Sequence, residues 1–248
     1  MLRFADADFV YEPYPTAEIA GVFDADLYSR LITSYPPLEK FQYRPDLGEK
    51  YAFSHHSDPS GFMAYLEAHP DWRAFYDYIK SDGFIEQILG FLEAHNIDLN
   101  LGRRRTVSRQ KLRKTTSIAG RLRRETELNA RFEFSMMNGE GGHILPHTDQ
   151  KDKLITLVLP MVAPGEWNPA WGGGTDVVWP KDKTLSFNIK NRYLEFDAVD
   201  RIRTLEFKPN NCVLFIKTYN SWHSVSPMTS GDRSILRRTL TVNIERRA

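Results

Sequence analysis

The stretch RFEFSMMNGEGGHILPHTD, residues 131–149, lies where the hydrophobic period of the chain changes from helical to alternating. From residue 130 onward apolar and polar residues alternate, and turn signals such as Asn138-Gly139 separate the runs. The predicted strands cover residues 131–137, 144–149, 154–162, 175–179, 193–196, 201–207, 212–217, 223–225 and 236–245. Short strands after a helical half predict a mainly β fold with N-terminal helices: a double-stranded β-helix (jelly roll) core braced by α-helices.

The first half of the chain has a helical period instead. Asp24 suits the N-cap of an amphipathic helix that should end before Pro36. Residues 59–97 carry an aromatic stripe at helical spacing, with breaks at Pro70 and Gly83, which we interpret as the core face of helices packed on a sheet. The length of 248 residues suits a single domain, in which residues 1–129 supply helices and a basic tract and residues 130–248 supply the jelly-roll core.

The composition narrows the class of protein. A hydrophobic content of 41% is that of a folded protein and argues against disorder. Cys212 is the only cysteine, so no intramolecular disulfide can form, and its apolar surroundings predict a buried core residue. No apolar run is long enough to span a membrane or to act as an export signal. We therefore expect a cytoplasmic protein without a membrane partner.

The net charge of +1 hides a strongly basic segment. Residues 101–124 contain ten basic residues and no acidic one, which leaves about −9 on the rest of the chain. One interpretation is a solvated loop and helix face; the other is a rim that attracts an anionic substrate, with Arg121 and Arg124 as substrate contacts. Nucleic acid is a less favoured partner because the segment has no aromatic residue for base stacking.

His147 and Asp149 are two residues apart at the end of a predicted strand, so we expect both side chains on one face. His223 follows another strand-like run and would complete a set of two histidines and one carboxylate. Such a set leaves metal positions open and is typical of non-heme Fe(II) oxygenases. A second H-x-D occurs at His56 and Asp58, but it lies in a polar stretch with turn residues, so we favour the first.

With these residues the chain resembles the 2-oxoglutarate and Fe(II)-dependent dioxygenases, within the prolyl-hydroxylase-like group. The resemblance covers about residues 131–244 and rests on four pieces in the family's order. They are HTD at 147–149, KLITLVLP at 153–160, GGGTDVVWP at 172–180, and KPNNCVLFIKTYNSWHSVSP at 208–227, which leads to RRTLTVNI at 237–244. It implies Fe(II) as the metal, 2-oxoglutarate and O2 as cosubstrates, and hydroxylation of a substrate with release of succinate and CO2.

The resemblance also implies a buried cation for the far carboxylate of 2-oxoglutarate, a role that suits the planar fork of arginine. Arg233 has a spacing from His223 that is common in the family, but its neighbours have the composition of a turn. Arg237 lies on a predicted strand whose polar face also carries Thr239 and Thr241. We therefore favour Arg237 as the cosubstrate residue, with a salt bridge at the rim of the site as the other interpretation.

The chain departs from the family's commoner pattern ten residues before the first metal histidine, where Met137 replaces a tyrosine that reaches the cosubstrate. Asn138, Thr156 and Thr241 are the candidates for the missing hydrogen bond. His143 has an even offset from His147, and we interpret it as a core residue or a hydrogen-bond partner of a metal ligand.

Residues 172–174 are three glycines before a strand, which predicts a bulge or a close approach of the backbone to the site. The neighbouring Trp167 and Trp171 fit a substrate wall or, equally, core filling.

The rival function is a metal-binding cupin without redox chemistry, which needs no cation opposite the metal. Asp149 disfavours the halogenating variant of the family, because a small residue replaces the carboxylate there. The substrate stays open among a small molecule, a sugar or lipid intermediate, a carrier-bound acyl group and a protein side chain.

Overall fold

Two β-sheets form the centre of the structure, a computed structural model that describes residues 1–5, 7–106 and 126–246. The strands are β1 (Asp8–Val10), β2 (Thr16–Ala20), β3 (Gln42–Arg44), β4 (Lys50–Phe53), β5 (Arg104–Thr106), β6 (Thr126–Asn138), β7 (Ile144–His147), β8 (Lys153–Pro160), β9 (Thr175–Pro180), β10 (Val199–Leu205), β11 (Asn211–Ile216), β12 (His223–Val225) and β13 (Leu236–Arg246). The larger sheet has the order β1-β2-β11-β8-β13-β6-β4-β3, with β5 parallel to β6, and the smaller has the order β10-β9-β12-β7. The two sheets confirm the predicted mainly β, jelly-roll fold.

The N-terminal helices are α1 (Ala25–Thr33), α2 (Pro59–Ala68), α3 (Pro70–Ile79) and α4 (Asp82–Ala94). Asp24 caps α1 as predicted, because its carboxylate accepts hydrogen bonds from the backbone N–H groups of Asp26 and Leu27. Pro70 is the first residue of α3. The backbone N–H of that position has no partner within a helix, so a proline there removes no hydrogen bond. The break predicted at Gly83 is present but lies two residues earlier, where the hydroxyl of Ser81 caps α4, and Gly83 belongs to the first turn of that helix.

The helices pack on one face of β6, as the aromatic stripe predicted. Phe132 and Phe134 point toward them, and the ring centroid of Trp72 lies 4.7 Å from that of Phe134 in an edge-on arrangement. Glu133 and Ser135 alternate with these rings and face the other way. The period of two in β6 therefore separates an aromatic core on one face from a polar interior on the other. Removing a ring such as Phe134 would cost about 3–5 kcal/mol.

Several elements differ from the sequence prediction. Residues 193–196 do not form a strand but belong to the loop between β9 and β10, where a 3-10 turn covers Phe196–Ala198. Strands β2, β3 and β4 were not predicted, although they belong to the larger sheet: β2 pairs with β11, β4 pairs with β6, and β3 pairs with β4. Most of the basic tract, including Arg121 and Arg124, lies outside the described residues. Among the described helices, none has both the length and the apolar character required to cross a bilayer.

Candidate metal and cosubstrate site

The smaller sheet brings two histidines together at adjacent strand ends. His147 is the last residue of β7 and His223 is the first residue of β12, and the two are directly paired in the antiparallel register. The Nε2 atom of His147 lies 3.5 Å from Oδ1 of Asp149, and that of His223 lies 3.8 Å from Oδ2. The three side chains are buried, and their ligand atoms all lie within 4.8 Å of one another. This donor set matches the facial arrangement of two histidines and one carboxylate that holds Fe(II).

Each imidazole is oriented by a backbone carbonyl. Nδ1 of His147 lies 2.8 Å from the oxygen of Leu145, and Nδ1 of His223 lies 2.9 Å from the oxygen of Ser221. A carbonyl can only accept, so Nδ1 carries the proton and Nε2 keeps a free lone pair for a metal. Burial and the neighbouring His147 lower the pKa of His223 to about 3, which keeps that ring neutral at physiological pH.

Asp149 reaches the histidines through a turn rather than through strand alternation, which corrects the reason for its prediction. β7 ends at His147, and the backbone of Asp149 is left-handed, with φ of 67°. Nζ of Lys153 donates to Oδ1 of Asp149 at 2.6 Å. Burial would raise the pKa of this carboxyl, but Lys153 and the two histidines hold it well below its usual range. Asp149 is therefore an anionic donor before any metal arrives.

A cavity of about 130 Å³ lies between the two sheets next to these donors. Its walls are formed by Lys50, Ser135, Met137, Ile144, His147, Asp149, Lys153, Thr156, Val158, Thr175, Phe215, His223, Ser224, Val225, Arg237, Thr239 and Thr241. Thr156, Thr239, Thr241 and Arg237, all predicted cosubstrate residues, thus share one cavity with the metal donors.

Arg237 is the buried cation of this cavity. It is 4% exposed, its guanidinium lies 4.5 Å from the ring centroid of Phe207, and its Nε donates to the carbonyl oxygen of Gly173. Among the described residues no carboxylate lies within salt-bridge distance of it. Burial lowers its pKa to about 9, so it stays charged at neutral pH. Because a buried charge without a partner is costly, this arginine would be stabilised by an anion that is not part of the chain.

Arg233, the competing arginine, is held elsewhere. Its side chain is 60% exposed and its Nη2 atom lies 2.6 Å from Oε2 of Glu49. The amide of Asn138 donates to the same carboxylate at 3.2 Å. Asn138 is absent from the cavity walls described above, so its prediction as a cosubstrate residue is not supported by its position.

Other predicted residues lie beside the cavity rather than in its walls. The indole rings of Trp167 and Trp171 pack edge to face, and Trp167 also packs against Phe207, the ring beneath Arg237. The core-filling interpretation therefore fits Trp167 better than a substrate wall. His143 hydrogen-bonds to the carbonyl of Gly141 and is not part of the metal-donor group.

The decoy H-x-D has a structural role. Asp58 caps α2, because its Oδ1 accepts from the backbone N–H of Gly61 at 3.0 Å. His56 lies in the preceding turn. Neither residue belongs to a group of potential metal donors within the described part of the chain.

Sequence reasoning missed two lysines in the cavity walls. Lys153 contacts Asp149, and Lys50 donates to Oε1 of Glu133 at 2.7 Å. Lys153 could have been noticed, because it is four residues after Asp149 at the start of a predicted strand. Lys50 lies on β4, which was not predicted, so the sequence held no signal for it. The hydroxyl of Ser224 was missed as well; it is buried in the cavity wall without a hydrogen-bond partner.

Comparison with known proteins agrees with the geometry. Residues 132–245 match the family model of the 2OG-Fe(II) oxygenase superfamily. A prolyl-4-hydroxylase from Pseudomonas putida is similar in structure, with 14% identity, a TM-score of 0.49, and coverage of 96% of this chain and 95% of that chain. A prolyl 4-hydroxylase from Phytophthora capsici shares the fold at 16% identity and a TM-score of 0.52, over 93% of this chain and 58% of that chain. No curated protein matches the sequence. Residues 132–245 therefore match a 2OG-Fe(II) oxygenase domain, and with His147, Asp149 and His223 as a possible iron site this match implies Fe(II), 2-oxoglutarate and O2 as cofactors.

Proposed function

We propose that the chain is a hydroxylase in which His147, Asp149 and His223 hold Fe(II) and Arg237 holds the far carboxylate of 2-oxoglutarate. The observation that carries this proposal is the shared cavity, which joins three metal donors to a buried arginine without a carboxylate partner. A metal site alone would not require that cation, and a cation alone would not require the donors.

When bound, Fe(II) and 2-oxoglutarate use O2 to hydroxylate a C–H bond of the substrate, with release of succinate and CO2. The two Nε2 atoms and a carboxylate oxygen of Asp149 would occupy one face of the metal and leave three positions for the cosubstrates. The carbonyl hydrogen bonds to both Nδ1 atoms keep the rings turned toward that face. Lys153 occupies Oδ1 of Asp149, which leaves Oδ2 as the freer oxygen for the metal.

Arg237 would orient the cosubstrate by its charge and its planar fork. Its Nε is engaged by Gly173, so the terminal nitrogens are the ones available to a carboxylate. Thr239 and Thr241 extend the same face of β13, and Ser224 offers a hydroxyl without a partner. These hydroxyls are our candidates for the hydrogen bond that the family's tyrosine supplies where this chain has Met137.

The cupin alternative does not account for Arg237. A metal-binding jelly roll that only binds sugars or isomerises them has no need for a buried, unpaired guanidinium beside its metal. Asp149 also disfavours a halogenating enzyme, because its carboxylate fills the position that a halide would take.

The substrate enters the proposal only as a class. The ten cations of residues 101–124 favour an anionic or carrier-bound molecule, with Arg121 and Arg124 as contacts. Trp167 and Trp171 stay secondary candidates, and nucleic acid stays less favoured. The cytoplasmic location expected from the sequence remains a prediction.

The experiment is an anaerobic titration of the protein and Fe(II) with 2-oxoglutarate. A weak visible absorption band of a bidentate keto acid on Fe(II) is expected for the wild type and not for Asp149→Ala. If the wild type binds Fe(II) but the band does not appear, 2-oxoglutarate is excluded as cosubstrate and the cupin alternative is favoured. Screening the four substrate classes for stimulated succinate formation would then identify the substrate.

A further inference from the structure

The two most exposed large hydrophobic side chains of the described residues lie near each other in the loop between β9 and β10. Ile189 is 71% exposed and Phe187 is 68% exposed. Both line a surface groove of about 230 Å³ whose floor includes Trp222. Single exposed hydrophobic residues are normal, but a contiguous group marks a surface that meets an apolar partner. We call residues 183–193 the β9–β10 tip.

The fold presents these side chains outward through the residue between them. Asn188 is 5% exposed, and its backbone N–H donates to the carbonyl of Tyr219 at 2.7 Å. Its side-chain amide bonds in both directions to the backbone of Arg192, at 2.8 Å each. Because Asn188 is fixed inward, Phe187 and Ile189 on either side of it are held toward solvent. Their exposure is therefore built into the loop.

The β9–β10 tip is also cationic. It contains Lys183, Lys190 and Arg192 and no acidic residue. None of these three cations forms a salt bridge with another described residue. Beside the tip, Nζ of Lys217 lies 5.3 Å from the ring centroid of Tyr219, a side chain that is 49% exposed. An apolar tip with unpaired cations and half-exposed tyrosines around it suits a partner that has anionic groups at its surface and an apolar layer below them.

The tip lies next to the metal donors. The ring of Tyr193, the last residue of the tip, stacks on His147 at 5.2 Å between centroids and 21° between planes. The backbone N–H of Leu194 donates to the carbonyl of Pro146 at 3.0 Å. A surface that meets the tip is therefore brought to the side of the molecule on which His147 lies.

We propose that the β9–β10 tip docks the protein on an anionic lipid bilayer. Phe187 and Ile189 would enter the boundary between headgroups and acyl chains, and Lys183, Lys190 and Arg192 would meet the anionic headgroups. A bilayer fits better than a folded partner, because protruding apolar side chains enter a soft medium without needing matching pockets. This proposal departs from the expectation of no membrane partner, which rested on the lack of a spanning segment, because binding at a bilayer surface requires no spanning helix.

The test is flotation of the purified chain with vesicles of 30% phosphatidylglycerol and 70% phosphatidylcholine, compared with pure phosphatidylcholine vesicles. Wild type should bind the anionic vesicles at least tenfold more tightly. Phe187→Ser with Ile189→Ser, and separately Lys183→Glu with Lys190→Glu and Arg192→Glu, should each weaken binding at least tenfold. The matched control is Ile202→Ser, an exposed isoleucine of β10, which should bind as wild type.

Two further variants separate this proposal from its alternatives. Reversal of Arg121, Arg123 and Arg124 to Glu tests the basic tract. If this variant loses vesicle binding while the tip variants keep it, the proposal is overturned. Asp149→Ala should float as wild type does, so docking and the proposed hydroxylase function can fail independently. Absence of binding to the anionic vesicles, or equal binding to both kinds, would also overturn it.

Insertion can be read directly, because Cys212 is fully buried and leaves an introduced cysteine as the accessible thiol. An environment-sensitive dye on Ile189→Cys should shift to shorter wavelength on the anionic vesicles. The same dye on Ile202→Cys should not shift. Equal shifts at both positions would show non-specific adsorption and contradict docking by the tip.

Discussion

The Nε atom of Arg237 donates a hydrogen bond of 2.6 Å to the carbonyl oxygen of Gly173. Gly173 has a left-handed backbone with φ of 85°, and a Cβ atom added there would lie 3.3 Å from Cδ of Arg237 and 3.0 Å from the indole of Trp167. The glycine run therefore lets the chain pass close enough to fix one nitrogen of the guanidinium. The predicted close approach of residues 172–174 to the site takes this form.

Gly173→Ala should weaken 2-oxoglutarate binding as well as stability. The left-handed backbone alone should destabilise an alanine at this position by about 1–2 kcal/mol. The new Cβ atom would also press on the side chain of Arg237 and displace the guanidinium that we propose binds 2-oxoglutarate. Gly165→Ala is the matched control, since Gly165 has φ of 80° and open space around the added Cβ. Chemical denaturation and cosubstrate titration of both variants would show it: equal losses of affinity would mean that the contact with Arg237 is irrelevant.

Arg237→Ala should raise the 2-oxoglutarate requirement steeply, because it removes a charge-assisted pair that contributes roughly 2 to 5 kcal/mol. Arg237→Lys should recover only part of the affinity, since a lysine keeps the charge and loses the fork. Arg233→Ala is the control and should change little, because Arg233 is exposed and paired with Glu49. The measurement is the dependence of succinate formation on cosubstrate concentration. A larger effect from Arg233→Ala would contradict the assignment.

His147→Ala, Asp149→Ala and His223→Ala should each abolish Fe(II)-dependent turnover while the fold persists, because each removes one of three metal donors. His56→Ala with Asp58→Asn is the control, in which asparagine keeps the helix cap of α2. Circular dichroism and succinate formation are the measurements. Retained turnover in the three donor variants would rule out the proposed metal site.

Glu133→Gln should destabilise the protein in a pH-dependent way. Burial would raise the pKa of Glu133, but Lys50 and Arg131 hold it far below its usual range. Its contribution to the free energy of unfolding is therefore full above about pH 4.3, the unfolded value, and declines as the pH falls further. At pH 7 the loss should be somewhat below the roughly 3 to 5 kcal/mol of a fully buried pair, since Lys50 is 19% exposed.

Denaturant titrations of wild type and Glu133→Gln at pH 7 and below pH 4 would check this. The difference between the two proteins should narrow in acid. A difference that stays constant with pH would mean that the carboxylate charge has no stabilising role.

Reversing Arg121, Arg123 and Arg124 to Glu should lower capture of an anionic substrate, and the wild-type rate should fall as salt shortens the Debye length from about 10 to 3 Å. Uncoupled 2-oxoglutarate turnover should change little, because in the proposed site Arg237 would hold that ligand inside the cavity. Unchanged substrate kinetics and salt response would identify the tract as an ordinary solvated surface.

Local pattern was enough to predict β13, but not every residue of the site. Alternation placed Arg237, Thr239 and Thr241 on one face, and all three line the cavity. The same rule, applied to β6, places Asn138 on the face opposite to its neighbour Met137, which lines the cavity. Asp149 lies beside the two histidines as expected, but through a left-handed turn that is not predictable from the sequence rather than through strand alternation.

The missed elements depend on partners distant in sequence. β3 and β4 have three and four residues, too few for a period of two to stand out; β4 forms a strand by pairing with the edge of β6, and β3 by pairing with β4. Residues 193–196 show the opposite case, since their aromatic content predicts a strand but Tyr193 is committed to stacking on His147. Tertiary contacts, which local sequence does not encode, decide both.

The placement of the proposed cosubstrate wall on β13 bears on how such a protein could evolve. β13 is paired along its length with β6 on one side and β8 on the other, so its inward residues belong to the most constrained part of the sheet. The β9–β10 tip is anchored through Asn188, through the Trp222 indole and through Tyr193, whereas the exposed side chains of Phe187 and Ile189 contribute little to the core. Mutations of the exposed tip side chains can therefore accumulate and change which surface the protein binds, while the oxidising chemistry is retained.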